Sequence, residues 1–367
     1  MSTKSSRMRS LALVALGAVT LPLGLAACGD AGSAQSGGPG HKPTVVVAAL
    51  QAAAKYYQEE MDGAKAFGVE DGNVNLTVTA PPSYDSGVAQ KQIRDLLATG
   101  PDAIGITPQP PDLWGRTMKD AVSRLDGKVI SFSERTASTE NGAKDAAVKT
   151  TVGYNDRGQA RTLLEQTIKV GNIPASSTGK VLLAGCTADQ TGTVALRLQG
   201  FQDAVKELLP QAQVVTLVSA PDVKENQDRW SSALTAHPDA VLAAGTCEPD
   251  GQSLYRLKKE RGYNFALGAM ELTPESISGL RDGLTTAVQS ANTWLMGYTT
   301  ARMLTMAARG EKLPAGFVAT GGTLFTKDNV NDTEVRETDP AKFYKPLVDK
   351  LFANGMPKAA PVADAWN

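Results

Sequence analysis

Two adjacent tyrosines, Tyr56 and Tyr57, stand where a loop passes into a helix. Rings at such a place either face a ligand or pack into a core, and helix neighbours point about 100° apart, which disfavours both turning inward. Glu134-Arg135, Asp189, Glu248 and Glu271 each follow a short apolar run. A carboxylate there can accept hydrogen bonds from the hydroxyls of a polyol, each charge-assisted bond worth about 1.5–3 kcal/mol. It can equally cap a helix, and Glu134-Arg135 can equally be a solvated pair that contributes little. Gln109, Asp112 and Trp114 occupy a comparable loop, where Trp114 serves either a ligand or a helix start.

Other chemistries lack their residues. The chain has two histidines, His41 in a Gly/Ser-rich tract, where it reads as solvated, and His237 in a turn. That leaves no His-based triad or zinc site. There is no G-x-S-x-G, P-loop or G-x-G-x-x-G after a strand. Paired carboxylates keep an exported enzyme as an alternative. The net charge of −1 gives no basic face for nucleic acid.

The elements that must carry these residues follow from periodicity. Thr44–Val47 is a run of β-branched residues, and Tyr57, Met61, Ala64 and Gly68 then share one helical face. The plan repeats at Lys180–Leu209, where Val194, Leu198, Phe201, Val205 and Leu208 share a face. Further strands are expected at 74–78, 103–106, 128–132 and 148–152, and then at 181–184, 214–218, 240–244, 265–268 and 284–288, with helices between. Such alternation specifies parallel sheets covered by helices on both faces. At 367 residues, two lobes with a cleft between them are the default. Ligands of such sheets bind beyond the carboxyl ends of the strands. Thr273-Pro274-Glu275 reads as a helix start. Trp294, Tyr298 and Ala301 mark a later helix, Leu324-Phe325 a short strand, and Phe343, Leu347 and Leu351 a last helix.

The amino terminus is not part of the fold. Lys4, Arg7 and Arg9 precede an apolar run ending Leu25-Ala26-Ala27-Cys28. This resembles the bacterial lipobox, which implies a lipid-modified Cys28 after cleavage; an ordinary secretory signal is the other reading. Gly29–Pro43 reads as a flexible tether. Export leaves Cys186 and Cys247, each just beyond a strand. If the strand order is 2-1-3-4-5, those strands are neighbours, about 4.8 Å apart, and the pair is within disulfide reach. Two free thiols are the alternative.

Four segments together carry a family resemblance. They are Lys55-Tyr56-Tyr57 with Met61-Asp62-Gly63-Ala64, Asp102-Ala103-Ile104 to Pro108, Arg197-Leu198-Gln199-Gly200-Phe201, and Leu234-Thr235-Ala236-His237-Pro238-Asp239. From Thr44 to about Asn331 the chain resembles the type 1 periplasmic binding proteins, the ribose-binding-protein-like sugar group. The resemblance implies an α/β fold of two doubly wound parallel-sheet lobes, a three-stranded hinge and a ligand cleft between the lobes. It implies a lipoprotein signal at 1–28, a tether at 29–42, a first lobe of 43–153 and 289–322, a second lobe of 154–288 and 323–337, and a helical tail at 338–367. Tyr56 and Tyr57 fall on the family's aromatic pair, and its Asp-Arg falls on Ser133-Glu134, or on Glu134-Arg135 if shifted by one. Thr246 falls on its Asn, Glu271 on its later Asp, and Gln289 and Asn292 flank its crossover Gln. Its second-lobe arginine falls on Ala195, two residues before Arg197, so the scaffold matches while the ribose set does not. With Asp189 on the second wall, these residues form the expected ligand set. The implied function is a solute receptor for an ABC importer: a monomer without cofactor or metal, whose partners are a sugar-like molecule, an ABC permease and, through Cys28, the membrane. A sensor feeding a membrane signalling protein uses the same fold. A repressor of the lac repressor family would need a helix-turn-helix where this chain has a signal and tether.

Overall fold

The computed structural model describes residues 41–109, 113–133, 147–187 and 192–361. Cys28, Asp112, Glu134, Arg135 and Asp189 lie outside them. The first lobe runs β1 (Thr44–Ala48), α1 (Lys55–Asp71), β2 (Asn75–Thr79), α2 (Ser86–Ala98), β3 (Ala103–Ile106), α3 (Gly115–Arg124), β4 (Val129–Phe132) and β5 (Thr150–Gly153). The second runs α4 (Asp156–Val170), β6 (Lys180–Gly185), α5 (Gly192–Leu208), β7 (Gln213–Val218), α6 (Val223–Ala236), β8 (Ala240–Gly245), α7 (Glu248–Arg261), β9 (Ala266–Met270), α8 (Pro274–Asp282) and β10 (Ala287–Ala291). The chain then returns through α9 (Thr293–Ala308) and β11 (Gly316–Ala319), crosses again to β12 (Gly322–Phe325), and ends in α10 (Asp332–Thr338) and α11 (Pro340–Leu351).

The first sheet has the order β11-β5-β4-β3-β1-β2, and the second β12-β10-β9-β8-β6-β7. Every pairing is parallel except β10 with β12. The two lobes are thus doubly wound on one plan. Central strands β1, β3 and β4 are buried on both faces, as parallel strands between helical layers must be. Three crossings join the lobes: Tyr154-Asn155, Asn292, and Thr320-Gly321.

In each lobe a pair of described helices comes into backbone contact. A Cβ on Gly63 of α1 would stand 1.9 Å from the Trp294 carbonyl oxygen, and one on Gly297 of α9 would stand 1.8 Å from that of Glu60. In the second lobe a Cβ on Gly200 of α5 would meet the Arg157 carbonyl oxygen of α4 at 2.1 Å. The glycines of the D-G-A and R-x-x-G-F segments are therefore packing requirements.

Several expectations shift. Strand β10 begins three residues later than expected. The Leu284 and Thr285 amides instead both donate to the Gly279 carbonyl at 2.9 Å, closing α8. Strand β10 then runs to Ala291 in the second sheet, so Gln289 belongs to the second lobe, and the crossing lies at Asn292 rather than at 289. Strand β11 was not anticipated. Its four residues, Gly316–Ala319, are too short to show a period. The end of the tether is also held, since His41 Nε2 and the Thr44 amide share Asp102 Oδ2 at 2.9 and 2.8 Å. Thr273 does cap α8, accepting from the Ser276 amide at 3.1 Å.

Candidate functional site

The site lies beyond the carboxyl ends of strands from both lobes. The fourth strand of each lobe, β4 and β9, is followed directly by a non-glycine residue at positive φ: Ser133 at 64° and Glu271 at 67°. Such backbone is costly, persists only where its surroundings enforce it, and tends to cluster at functional sites. Glu271 lines the pocket between the lobes, and Ser133 bonds to Tyr56, which lines the same pocket. Ser133 Oγ donates to Tyr56 Oη at 3.3 Å. Glu271 is held by a buried arginine.

That arginine is Arg197 on α5, 9% exposed. Nε donates to Asp156 Oδ1 at 2.8 Å, Nη1 to the Thr246 carbonyl at 2.9 Å and Nη2 to Glu271 Oε1 at 2.9 Å. Its guanidinium lies 5.6 Å from the Tyr154 ring centre. Burial works against its charge, but Asp156 and Glu271 outweigh burial and keep it firmly protonated. Glu271 Oε2 accepts from the Ala291 amide at 3.1 Å. Burial still raises the Glu271 pKa, against the pull of Arg197. Arg197 thus fixes Glu271 against the hinge in one orientation.

A narrow pocket joins the lobes at this point. Lys55, Tyr56 and Glu59 of α1 and Thr293 of α9 line it from the first lobe, Glu248, Glu271, Leu272 and Ser290 from the second, and Arg336 from the C-terminal segment. Its free space of about 10 Å³ is about what one water molecule needs. Lys55 Nζ reaches across to the Leu272 carbonyl at 3.5 Å. Glu248 opens α7, and its Oε1 accepts from Gln252 at 3.3 Å. Burial, reinforced by Glu271, raises its pKa above the ordinary 4.5.

This carboxyl gives a pH test. Because folding raises the Glu248 pKa, its contribution to stability is full below about 4.5 and is lost as pH rises through the raised value. Urea unfolding of wild type and Glu248→Gln at pH 5.0 and 7.5 should show the variant gaining relative stability at the higher pH. A pH-independent difference would exclude this role.

The expected ligand residues separate into groups. Tyr56 and Glu271 line the pocket. Tyr57 is 8% exposed and sits in the apolar core, its ring edge-on to Tyr56 with centroids 5.1 Å apart. Thr246 is fully buried and gives its carbonyl to Arg197. Asn292 pins the hinge, donating to the Thr320 carbonyl at 3.1 Å and accepting from Thr323 Oγ1 at 2.8 Å. Gln289 is 1% exposed, and its amide packs against Gly322, not the pocket. Trp114 is buried and donates to the Gln109 carbonyl at 3.0 Å, a packing role at the start of α3. Sequence reasoning did not single out Asp156, Lys55, Glu59 or Arg336 for this site. Only Asp156 carried a signal, the acid just past the Asn155 helix cap.

Cys186 and Cys247 form a disulfide, with Cα atoms 6.0 Å apart. They follow β6 and β8, which are hydrogen-bonded neighbours. The bridge ties the loop before α5 to the start of α7, beside Glu248. Among the described residues no group of His, Cys, Asp and Glu could hold a metal ion. No described helix is long and apolar enough to cross a membrane.

The fold has close structural counterparts. An ABC transporter solute binding protein from Burkholderia graminis, in complex with D-arabinose, matches with a TM-score of 0.68 at 19% identity, over 80% of this chain and 98% of that one. One from Agrobacterium vitis, bound with alpha-D-tagatopyranose, matches with a TM-score of 0.69 at 18% identity, over 82% and 97%. An arabinose binding protein from Geobacillus stearothermophilus matches with a TM-score of 0.66 at 22% identity, over 79% and 99%. No curated protein sequence matches the chain. At sequence level, residues 45–312 match the family model of the periplasmic binding protein domain, and with two doubly wound lobes about a three-crossing hinge, the chain belongs to that family.

Proposed function

We propose that this chain is the extracytoplasmic solute receptor of an ABC importer, taking a sugar or sugar-like solute between its lobes and held to the membrane by lipid on Cys28. The observation that carries the reading is the cleft itself. An aromatic ring, Tyr56, comes from one lobe, and fixed hydrogen-bond acceptors, Glu248 and Glu271, come from the other. A ring that stacks on one face of a sugar and carboxylates that accept from its hydroxyls are complementary to a polyol. Arg197 holds Glu271 before any ligand arrives, so little side-chain entropy is lost on binding. The structural counterparts support the solute class, because they carry D-arabinose, alpha-D-tagatopyranose and glycerol. Among the described residues the pocket offers carboxylate acceptors and an aromatic platform, the groups a polyol needs. Its narrowness means that a sugar enters only when the lobes rotate apart about the hinge, a motion of the hinge class.

A thermal-shift panel of pentoses, hexoses, polyols and furanose signals, run on the full-length protein in detergent, tests this. At 100 times its dissociation constant a ligand stabilises by about 2.7 kcal/mol. One sugar-class hit, lost in Tyr56→Ala, is expected. A folded protein with no hit across the panel would contradict the solute class.

A further inference from the structure

The C-terminal segment lies outside the matched residues 45–312, and it does not stay with the second lobe. Phe325 at the end of β12 and Val330 beyond it pack with Leu280 and Val288 of the second lobe. On α11, Phe343 faces Phe325 with ring centres 6.4 Å apart. The next residue, Tyr344, stacks on Trp294 of α9 in the first lobe, at 5.5 Å and 7°. Phe352 lies 4.1 Å beneath the Arg302 guanidinium of the same helix. Ala360 then exchanges two backbone hydrogen bonds with Phe317 of β11, at 2.8 and 2.9 Å, on the edge of the first sheet. The segment therefore leaves one lobe and ends fastened to the other.

Its midpoint carries Arg336, 4% exposed. Nη2 donates to Glu59 Oε2 at 2.8 Å and to Ser290 Oγ at 3.2 Å. Nη1 donates to Glu59 Oε1 at 3.2 Å and Glu337 Oε1 at 2.7 Å, and Nε to Tyr344 Oη at 2.9 Å. All five guanidinium donors are thus in use. Glu59 also accepts from Thr293 Oγ1. Beside it, Lys55 Nζ pairs with Glu337 at 2.6 Å. Glu59 and Lys55 belong to α1 of the first lobe, and Ser290 to β10 of the second.

We propose that this segment is a fourth connection between the lobes and that Arg336 and Glu337 form a latch favouring the closed cleft. Rotation about the three crossings moves Glu59 away from Ser290, and Arg336 can follow only one of them. Opening must therefore break either its two bonds to Glu59 or its charge-assisted bond to Ser290 at 3.2 Å. The strap from Val330 to Tyr344 also limits how far the lobes can part. The latch acts on the unliganded equilibrium, so it stands whichever solute the cleft takes. By enlarging the closed fraction it would raise apparent affinity for any ligand of that form.

The test is single-molecule energy transfer in the full-length chain, with dyes on azido amino acids at Ser83 and Pro221. Both are exposed and follow edge strands β2 and β7 at the cleft ends of the two sheets. Urea unfolding and refolding without reductant first strips any bound solute. Wild type should be mainly high-transfer. Arg336→Met should raise the ratio of low- to high-transfer molecules by about tenfold or more, as loss of a charged hydrogen bond would give. An unchanged distribution in the folded variant overturns the latch. If Arg336→Met does not fold, Glu337→Gln decides: a smaller shift toward low transfer supports the latch, and no shift overturns it.

Discussion

Arg197→Met is expected to lower folding stability by about 3–5 kcal/mol, the cost of removing one partner from a buried ion cluster. Against a typical total of about 5–15 kcal/mol, that is a large share. The reason lies in what remains. Asp156 and Glu271 are buried carboxylates 2.8 and 2.9 Å from the guanidinium, and the Thr246 carbonyl is the third acceptor. Without Arg197, two like charges stay in a low-dielectric site, and both must protonate or draw in water. Glu271 also loses the contact that orients it, so ligand affinity should fall with stability. Arg157→Met makes the control, because the Arg157–Asp203 pair is more than 30% exposed on each side and should cost less than about 1 kcal/mol. Urea midpoints of the two variants give the comparison. Equal, small effects would mean that Arg197 does not anchor the second wall.

The second large effect concerns Gly297, where helix propensity and packing have opposite signs. Alanine in a helix interior is favoured over glycine by about 1 kcal/mol. At Gly297 its Cβ would stand 1.8 Å from the Glu60 carbonyl oxygen, a backbone atom that cannot move aside without shifting α1. Overpacking of this kind costs about 1–3 kcal/mol and sometimes more. A contact between two backbones falls at the upper end. Gly297→Ala is therefore expected to be destabilising by about 3 kcal/mol, and Gly200→Ala to behave alike in the second lobe. Thermal unfolding reads the sign directly, and a stabilised Gly297→Ala would refute the close contact.

These two positions show what the sequence could and could not convey. Gly63 and Gly200 sit in segments noticed as motifs, yet nothing local says that their glycines face another helix. That is a property of how α1 meets α9 and α4 meets α5. The strands were legible because parallel strands buried on both faces are unbroken apolar runs, as in VVVA and VLLAG. Strand β10 was misplaced because Leu284 and Thr285 resemble strand residues while their amides close a helix.

At the site, Tyr56 and Glu271 were legible because both sit at the ends of recognisable strand units. Arg197 came through its motif. Asp156, Glu59 and Arg336 were not, because the cluster joins residues far apart in the chain: Arg336 meets Glu59 across 277 positions. Charge on a helix reads as solvated surface until a partner from another element covers it. Thr246 and Asn292 occupy ligand positions by resemblance; in the structure the Thr246 carbonyl accepts from Arg197 and the Asn292 side chain bonds across the hinge.

Whether the cleft takes a sugar on Tyr56 is decided by calorimetric titration of the leading thermal-shift sugar into wild type and Tyr56→Ala. Wild type should give saturable one-to-one heat, and the variant should bind at least about tenfold more weakly, one lost aromatic contact. A folded wild type that gives no saturable heat with any sugar or polyol, or a variant that binds as tightly as wild type, would contradict a sugar site at Tyr56.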